Sequence, residues 1–264
     1  MLFRSWVAGS YSKTGLWYST DGRRWLQSDK TDGDFKTVYY ANGIWVAGSY
    51  SGPWYSTDGQ HWLQSNRTDG KFSAVYYANG IWVAGAFLFS GLWYSTDGQC
   101  WLQSDKTDGD FSTVYYANGI WVAGSYSKTG LWYSTDGQHW LQSNRTDGNF
   151  SAVYYANGIW VAGPSSNIGL WHSTDGQYWL QSDKTDGNFS TVYYANGIWV
   201  AGSYSSSGLW YSTDGQHWLQ SDKTDGELST VYYANGIWVA GSRASNTGLW
   251  YSAAQDFIDN GWVK

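Results

Sequence analysis

The sequence predicts an all-β fold, a seven-bladed β-propeller of four-stranded antiparallel blades with about 39 residues per repeat. Three observations predict it. One unit recurs along the chain, and Phe111 to Ser143, FSTVYYANGIWVAGSYSKTGLWYSTDGQHWLQS, is a representative copy. The tryptophan of its IWVAG segment, or its equivalent, falls at Trp6, Trp45, Trp82, Trp121, Trp160, Trp199 and Trp238, in steps of 39 residues except one of 37. Within each period, four short runs are rich in Val, Ile, Trp and Tyr, which suit a pleated surface. Glycine-bearing turn signals separate the runs, and no helix-period stripe of useful length appears.

In the representative copy the first strand is Thr113–Ala117, the second Ile120–Gly124, the third Leu131–Ser134 and the fourth His139–Gln142. Asn118-Gly119 joins the first to the second, because a type I′ turn needs positive φ at both central residues. Asp136-Gly137 is expected to join the third to the fourth by the same logic. Two further tryptophan series keep the step: Trp17, Trp54, Trp93, Trp132, Trp171, Trp210 and Trp250, then Trp25, Trp62, Trp101, Trp140, Trp179 and Trp218. Each blade of a propeller is packed on both faces. The 21 tryptophans are therefore expected chiefly to fill the wedges between blades, with sugar or base platforms as the competing use.

Second and third strands occur seven times, first and fourth strands six times. The sequence thus enters at a second strand and leaves after a third. The remaining DFIDNGWVK, residues 256–264, echoes the ANGIWV hairpin. It is expected to supply a missing strand near the ring closure, beside Ser5–Ser10. Open edges there would invite pairing, so self-association through the closure edge is an expected property. Six blades plus an extra hairpin is the alternative.

Strand direction alternates, so the connections sort onto two faces. The Asn-Gly and Asp-Gly turns share one face and barely vary. The other face carries the variable loops between second and third strands, and the linking loops from each fourth strand to the next copy. The variable loops read AFLFSG at Ala86–Gly91, SYSKTG at Ser125–Gly130, PSSNIG at Pro164–Gly169 and SYSSSG at Ser203–Gly208. They read SRASNTG at Ser242–Gly248, with a shortened Ser49–Pro53. The linking loops repeat a pattern such as Asp29-Lys30-Thr31-Asp32-Gly33 or Asn66-Arg67-Thr68-Asp69-Gly70. Loops on a rigid scaffold are where binding usually resides. Phe87, Leu88 and Phe89 together make either a local plug or an exposed contact patch.

The segment Ser134-Thr135-Asp136-Gly137-Gln138-His139-Trp140 resembles the Asp-box, the bacterial neuraminidase repeat, in a variant with tight Asp–Gly spacing. It recurs at Ser19–Trp25, Ser56–Trp62, Ser95–Trp101, Ser173–Trp179 and Ser212–Trp218. The larger unit looks like the Asp-box-type propeller repeats of bacterial surface proteins and phage tail-associated proteins. The resemblance implies that Asp21, Asp58, Asp97, Asp136, Asp175 and Asp214 are structural turn residues. It also implies an extracellular or virion-associated setting. It implies no single function, since that turn occurs in enzymes and binding proteins alike.

The net charge is −6, and no basic patch argues for nucleic acid. No apolar run approaches the ~20 residues of a membrane helix. MLFRSWVAGS reads as the start of a strand rather than a secretory signal. Cys100 stands where other copies carry His and has no internal disulfide partner. The Asn-X-Ser/Thr sequons at Asn66, Asn144, Asn149 and Asn188 read as accidental.

A sialidase of the resembled family would need three converging arginines, a Tyr–Glu pair and an acid Asp. Arg67 and Arg145 share one repeat position that is Lys elsewhere, and the only Glu is Glu227. Two carboxylates could serve another glycosidase, but the prominent Asp residues recur in most copies. His61, His139, His172 and His217 lack metal-ligand spacing. The spaced oxygens of Asp29, Asp32 and Asp34 suit calcium less well than a self-capped loop, because later copies replace them. No enzyme, cofactor or metal is expected.

The leading expectation is a binding module for carbohydrate or a cell-surface glycan, multivalent through its repeated loops. The candidate contacts are Tyr50, Phe87, Phe89, Tyr126 and Tyr204, with Lys30, Arg67, Lys106, Arg145, Lys184 and Lys223. A structural or engineered symmetric scaffold is the second reading, and a glycosidase the third.

Overall fold

The computed structural model describes residues 6–10, 13–88, 90–127, 129–204, 208–222, 227–242 and 248–253. Among these residues the strands form seven sheets, five of four strands and two of three, each assembled in sequence order. Neighbouring strands run antiparallel, and no helix occurs among the described residues. The fold is an all-β seven-bladed propeller, which sets aside the six-bladed alternative. The first sheet comprises Trp6–Gly9, Leu16–Ser19 and Leu26–Gln27, and the last Leu228–Ala234, Ile237–Ser242 and Leu249–Ala253. Residues 256–264 and Ser5, on which the expected closure and its self-associating edge depend, lie outside the described residues. The chain forms two compact units, residues 1–123 with 134–141 and residues 124–133 with 142–264.

The Asn-Gly turns are as the sequence predicts. Asn79 has φ of 50° and Gly80 of 79°, and the five equivalent pairs lie within a few degrees of these values. The first strand starts earlier than expected, at Phe111 rather than Thr113. The equivalent Phe150 shows why. It re-enters the ladder opposite Pro164 beyond a bulge, while Ala152 pairs with Gly163. The second strand correspondingly reaches Ser125.

The Asp-Gly connection departs from the expected two-residue hairpin. Gly137 has positive φ, but Asp136 does not. The fourth strand is Leu141–Gln142, not His139–Gln142. The cause is the Asp136 carboxylate, which accepts the backbone N–H groups of Gln138 and His139, each at 2.8 Å. Those two residues close the turn instead of extending the ladder.

The second-strand tryptophans Trp82, Trp121, Trp160, Trp199 and Trp238 are fully buried, and Trp62, Trp101, Trp140, Trp179 and Trp218 of the fourth-strand series nearly so. In each unit a sheet is covered by the copy that follows in sequence. Ile198 and Val200 share a buried cluster with Trp238 of the next copy. The corresponding residues of the last sheet, Ile237 and Val239, are 44% and 36% exposed, and Trp6 of the first sheet is 59% exposed.

Gly91 ends a variable loop with φ of +68°, and an added Cβ would lie 2.1 Å from the Lys106 carbonyl oxygen. Gly80 has φ of +79° but open space around it. Gly80→Ala is expected to cost about 1 kcal/mol of backbone strain, and Gly91→Ala roughly 3 kcal/mol or more through strain and clash together. Urea midpoints of the two variants check this. Equal losses would refute the close approach.

Candidate functional site

Each Ser-Thr-Asp-Gly turn is a closed hydrogen-bonded unit. The Ser56 hydroxyl donates to Asp58 Oδ1 at 3.0 Å and accepts the Gly59 N–H at 2.8 Å. Asp58 Oδ1 accepts the N–H groups of Gln60 and His61, and the Trp62 indole N–H donates to the Gly59 carbonyl at 3.1 Å. The serine and backbone bonds recur at Asp21, Asp97, Asp136, Asp175 and Asp214, and the indole bond at Trp101, Trp140, Trp179 and Trp218. In three copies the second carboxylate oxygen meets a histidine Nδ1 at 2.7 Å: His61 on Asp58, His139 on Asp136 and His217 on Asp214. Burial alone would raise these three carboxyls. Their bonds to the histidine ring, the backbone N–H groups and the serine hydroxyl outweigh it and hold them well below their ordinary value.

The linking loops stitch one copy to the next. Asp29 donates its backbone N–H to the Gln60 carbonyl, and its carboxylate accepts the Trp62 N–H, both at 3.0 Å. Asn66, Asp105, Asn144 and Asp183 hold the next Trp N–H in the same way. Asp29 and Asp32, weighed in sequence as oxygen ligands, are held by Trp62 and Lys30. No group of three or more metal-ligating side chains occurs among the described residues.

The candidate cations follow these aspartates and asparagines and are committed to the same joint. Lys30 lies 4.1 Å above the Trp54 ring, Arg67 4.2 Å above Trp93, Arg145 4.0 Å above Trp171 and Lys184 4.0 Å above Trp210. In every case the ring belongs to the following copy. Each cation also pairs with the aspartate two residues on: Lys30 with Asp32, Arg67 with Asp69, Arg145 with Asp147, Lys184 with Asp186. Lys106 is buried and pairs with Asp108. Lys223 lies outside the described residues.

The aromatic candidates divide. Tyr126 and Tyr204 are 49% and 38% exposed. Tyr50 and Phe87 are half-buried, each beneath a lysine that sequence reasoning did not single out. Lys71 lies 4.5 Å above Tyr50 and Lys36 4.1 Å above Phe87. Leu88 is 62% exposed, with φ of 66°. Phe89 lies outside the described residues. The available signal for Lys36 was a comparison of copies, since Ser73, Ser112, Ser151, Ser190 and Ser229 occupy its position elsewhere.

A second unanticipated feature lies on the first strands. Ring centroids of Tyr39, Tyr76 and Tyr115 follow one another at 4.9 Å. Tyr154, Tyr193 and Tyr232 do so at 5.1 and 5.3 Å. Burial and then the neighbouring tyrosines push Tyr39 and Tyr193 up to about 12. Among the described residues no helix is long and apolar enough to cross a membrane.

Two pH dependences follow. The hydrogen bond donated to Asp58, Asp136 or Asp214, and then the carboxylate's charge, raises His61, His139 and His217 above 6.5. His172 is lowered, chiefly by burial, against the raising charge of Asp214. NMR titration is expected to show three histidines above 6.5 and one below. The stabilisation from the three pairs is full below 6.5 and fades as pH rises through the raised values. Tyr39 and Tyr193 bind their protons more tightly folded than unfolded. Their contribution is therefore present below pH 10 and lost as pH rises to about 12. Denaturation midpoints at pH 9 and pH 11.5 should fall accordingly, and less steeply in Tyr39→Phe.

No protein-family model and no curated protein matches the chain. Solved structures do. The computationally designed Ika8 protein superposes with a TM-score of 0.74 at 14% identity, covering 96% of this chain and 82% of that one. YCF48, solved bound to a D1 peptide, gives 0.64 at 14% identity, over 98% and 83%. The GH74 enzyme of Niastella koreensis gives 0.63 at 17% identity, over 95% of this chain but 41% of the enzyme. What this chain shares with all three is the propeller fold.

Proposed function

We propose that the protein is a non-enzymatic binding module that presents its variable loops to carbohydrate, in an extracellular or virion-associated setting. One observation carries the reading. Tyr126 and Tyr204 stand exposed at the same loop position of two copies, while the turns and linking loops are consumed by repeated hydrogen bonds and stacked cations. An exposed ring on a rigid strand end offers a flat apolar face to a sugar at little entropic cost. Two or more such faces on one chain gain by multivalency. The Asp-box carboxylates support the absence of catalysis. Each of the six is tied down by the same serine and backbone bonds, whereas general acid–base work needs a pair held in different environments.

The committed linking-loop cations favour a second reading, a repeat scaffold whose conserved chemistry serves cohesion alone. A peptide ligand, such as the one YCF48 is solved with, is a further outcome that the same experiment reads.

A glycan array on the intact chain, followed by calorimetry on any hit, separates these readings. Binding at several equivalent sites is expected. Tyr126→Ala and Tyr204→Ala should each weaken it severalfold, and the pair at least tenfold, with unchanged melting because both rings are exposed. Silence from a folded sample would support the scaffold.

A further inference from the structure

The symmetry of the repeat breaks most sharply at the joint between the second and third copies. Where five copies carry serine, the second carries Lys36. The serines turn inward: Ser73, Ser151 and Ser190 donate to the backbone carbonyls of Phe111, Phe189 and Leu228 in the following copy. Lys36 instead is exposed and reaches Phe87 of the next copy. On the first strand of the third copy, Lys71 occupies a position that is Asp34, Asp110, Asn149, Asn188 or Glu227 elsewhere, and it lies over Tyr50. Lys71 and Phe87 are direct cross-strand partners. Tyr50, Lys71, Phe87 and Lys36 thus form one continuous belt of alternating ring and ammonium. The third copy builds it by lengthening its ladder. Its first and second strands, Lys71–Ala78 and Ile81–Phe87, each run one residue longer than those of the fourth copy, Phe111–Ala117 and Ile120–Ser125. Just beyond stands Leu88, exposed in a left-handed conformation that a leucine adopts only at a cost.

We propose that this belt is a single recognition site for a carboxylate-bearing saccharide. The assignment rests on the reading of the variable loops as carbohydrate-binding and adds a ligand class and a location. Two ammonium groups are suited to a carboxylate through charge-assisted hydrogen bonds. The ring faces are taken by the ammonium groups, and the exposed Leu88 beside Phe87 supplies apolar surface for the C–H face of a sugar. Asp34 and Asp110 occupy the equivalent positions on the copies to either side. The Asp34 carboxylate accepts the Lys13 N–H at 2.9 Å. These two flanking carboxylates limit the positive stretch to the two lysines. The site therefore suits one carboxylate and disfavours a polyanion.

Calorimetry with trigalacturonate and sialyllactose, against galactotriose and lactose, tests the proposal at low and moderate salt. One acidic sugar is expected to bind at one site per chain, more weakly as salt rises, and its neutral counterpart at least tenfold more weakly there. Lys36→Ser and Lys71→Asn install residues that other copies already carry, so folding is preserved. Each should lower acidic-sugar affinity at least tenfold. Binding of neutral sugars only would overturn this site and leave the general carbohydrate reading standing. Acidic-sugar binding that ignores both lysine variants, or that occurs at several sites per chain, would overturn it too. Lysine-dependent binding of an acidic peptide in place of the sugars would overturn the saccharide assignment. Silence from every sugar would overturn both readings.

Discussion

Everything in this fold depends on how closely one copy approaches the next. Gly85 of the second strand shows the limit: a Cβ there would lie 2.8 Å from the Phe111 carbonyl oxygen of the following copy. Its φ is ordinary, so the glycine is required by proximity rather than by conformation. The two sheets touch backbone to backbone at that point and diverge elsewhere. The divergence has to be filled, and indoles fill it. A fully buried tryptophan removes about 150–250 Å² from water, worth roughly 4–6 kcal/mol gross at about 25 cal/mol per Å². Trp82, Trp121, Trp160 and Trp199 occupy the same place in successive copies.

The polar parts of the repeat serve the same joint. A linking-loop aspartate or asparagine satisfies the backbone N–H of a buried tryptophan one copy on. The next residue lays its charge across another tryptophan of that copy. A cation over an indole is worth about 0.5–2 kcal/mol, more as water is excluded. The adjacent aspartate keeps the charge from being buried alone. Both lysine and arginine occupy this position without changing the arrangement, as Lys30 and Arg67 show. Stacking tolerates either head group.

Much of this was legible in the sequence. Asn-Gly turns could be read because positive φ at both residues is a local property of two side chains. Blade number followed from counting strands, since each strand is a short aromatic run with its own period. The fourth strand was misjudged because Asp136 withdraws two residues from the ladder, and propensity does not weigh a carboxylate against a strand. The candidate cations were read as surface charges because the ring that captures Lys30 lies 24 residues further on (30 to 54). The stacked tyrosines escaped notice because adjacent residues of the VYYA segment point to opposite faces, and only the assembled sheets show which row stacks.

A chain built from near-identical copies poses a particular problem for function. Any residue that recurs in every copy is explained sufficiently by the joint, which also recurs. Function has to be sought where equivalent positions carry different chemistry on the same backbone. Position 36 is the clearest instance. A serine there closes a hydrogen bond to the next copy's backbone, and replacing it with lysine gives up that bond. A protein held together by repetition loses little when one of several equivalent bonds goes, because neighbouring joints remain intact. Repetition therefore supplies the stability against which single copies can depart from the pattern. The aromatic row of the variable loops, constant enough to place a ring and variable enough to change its neighbours, is where such departures alter what the surface can recognise.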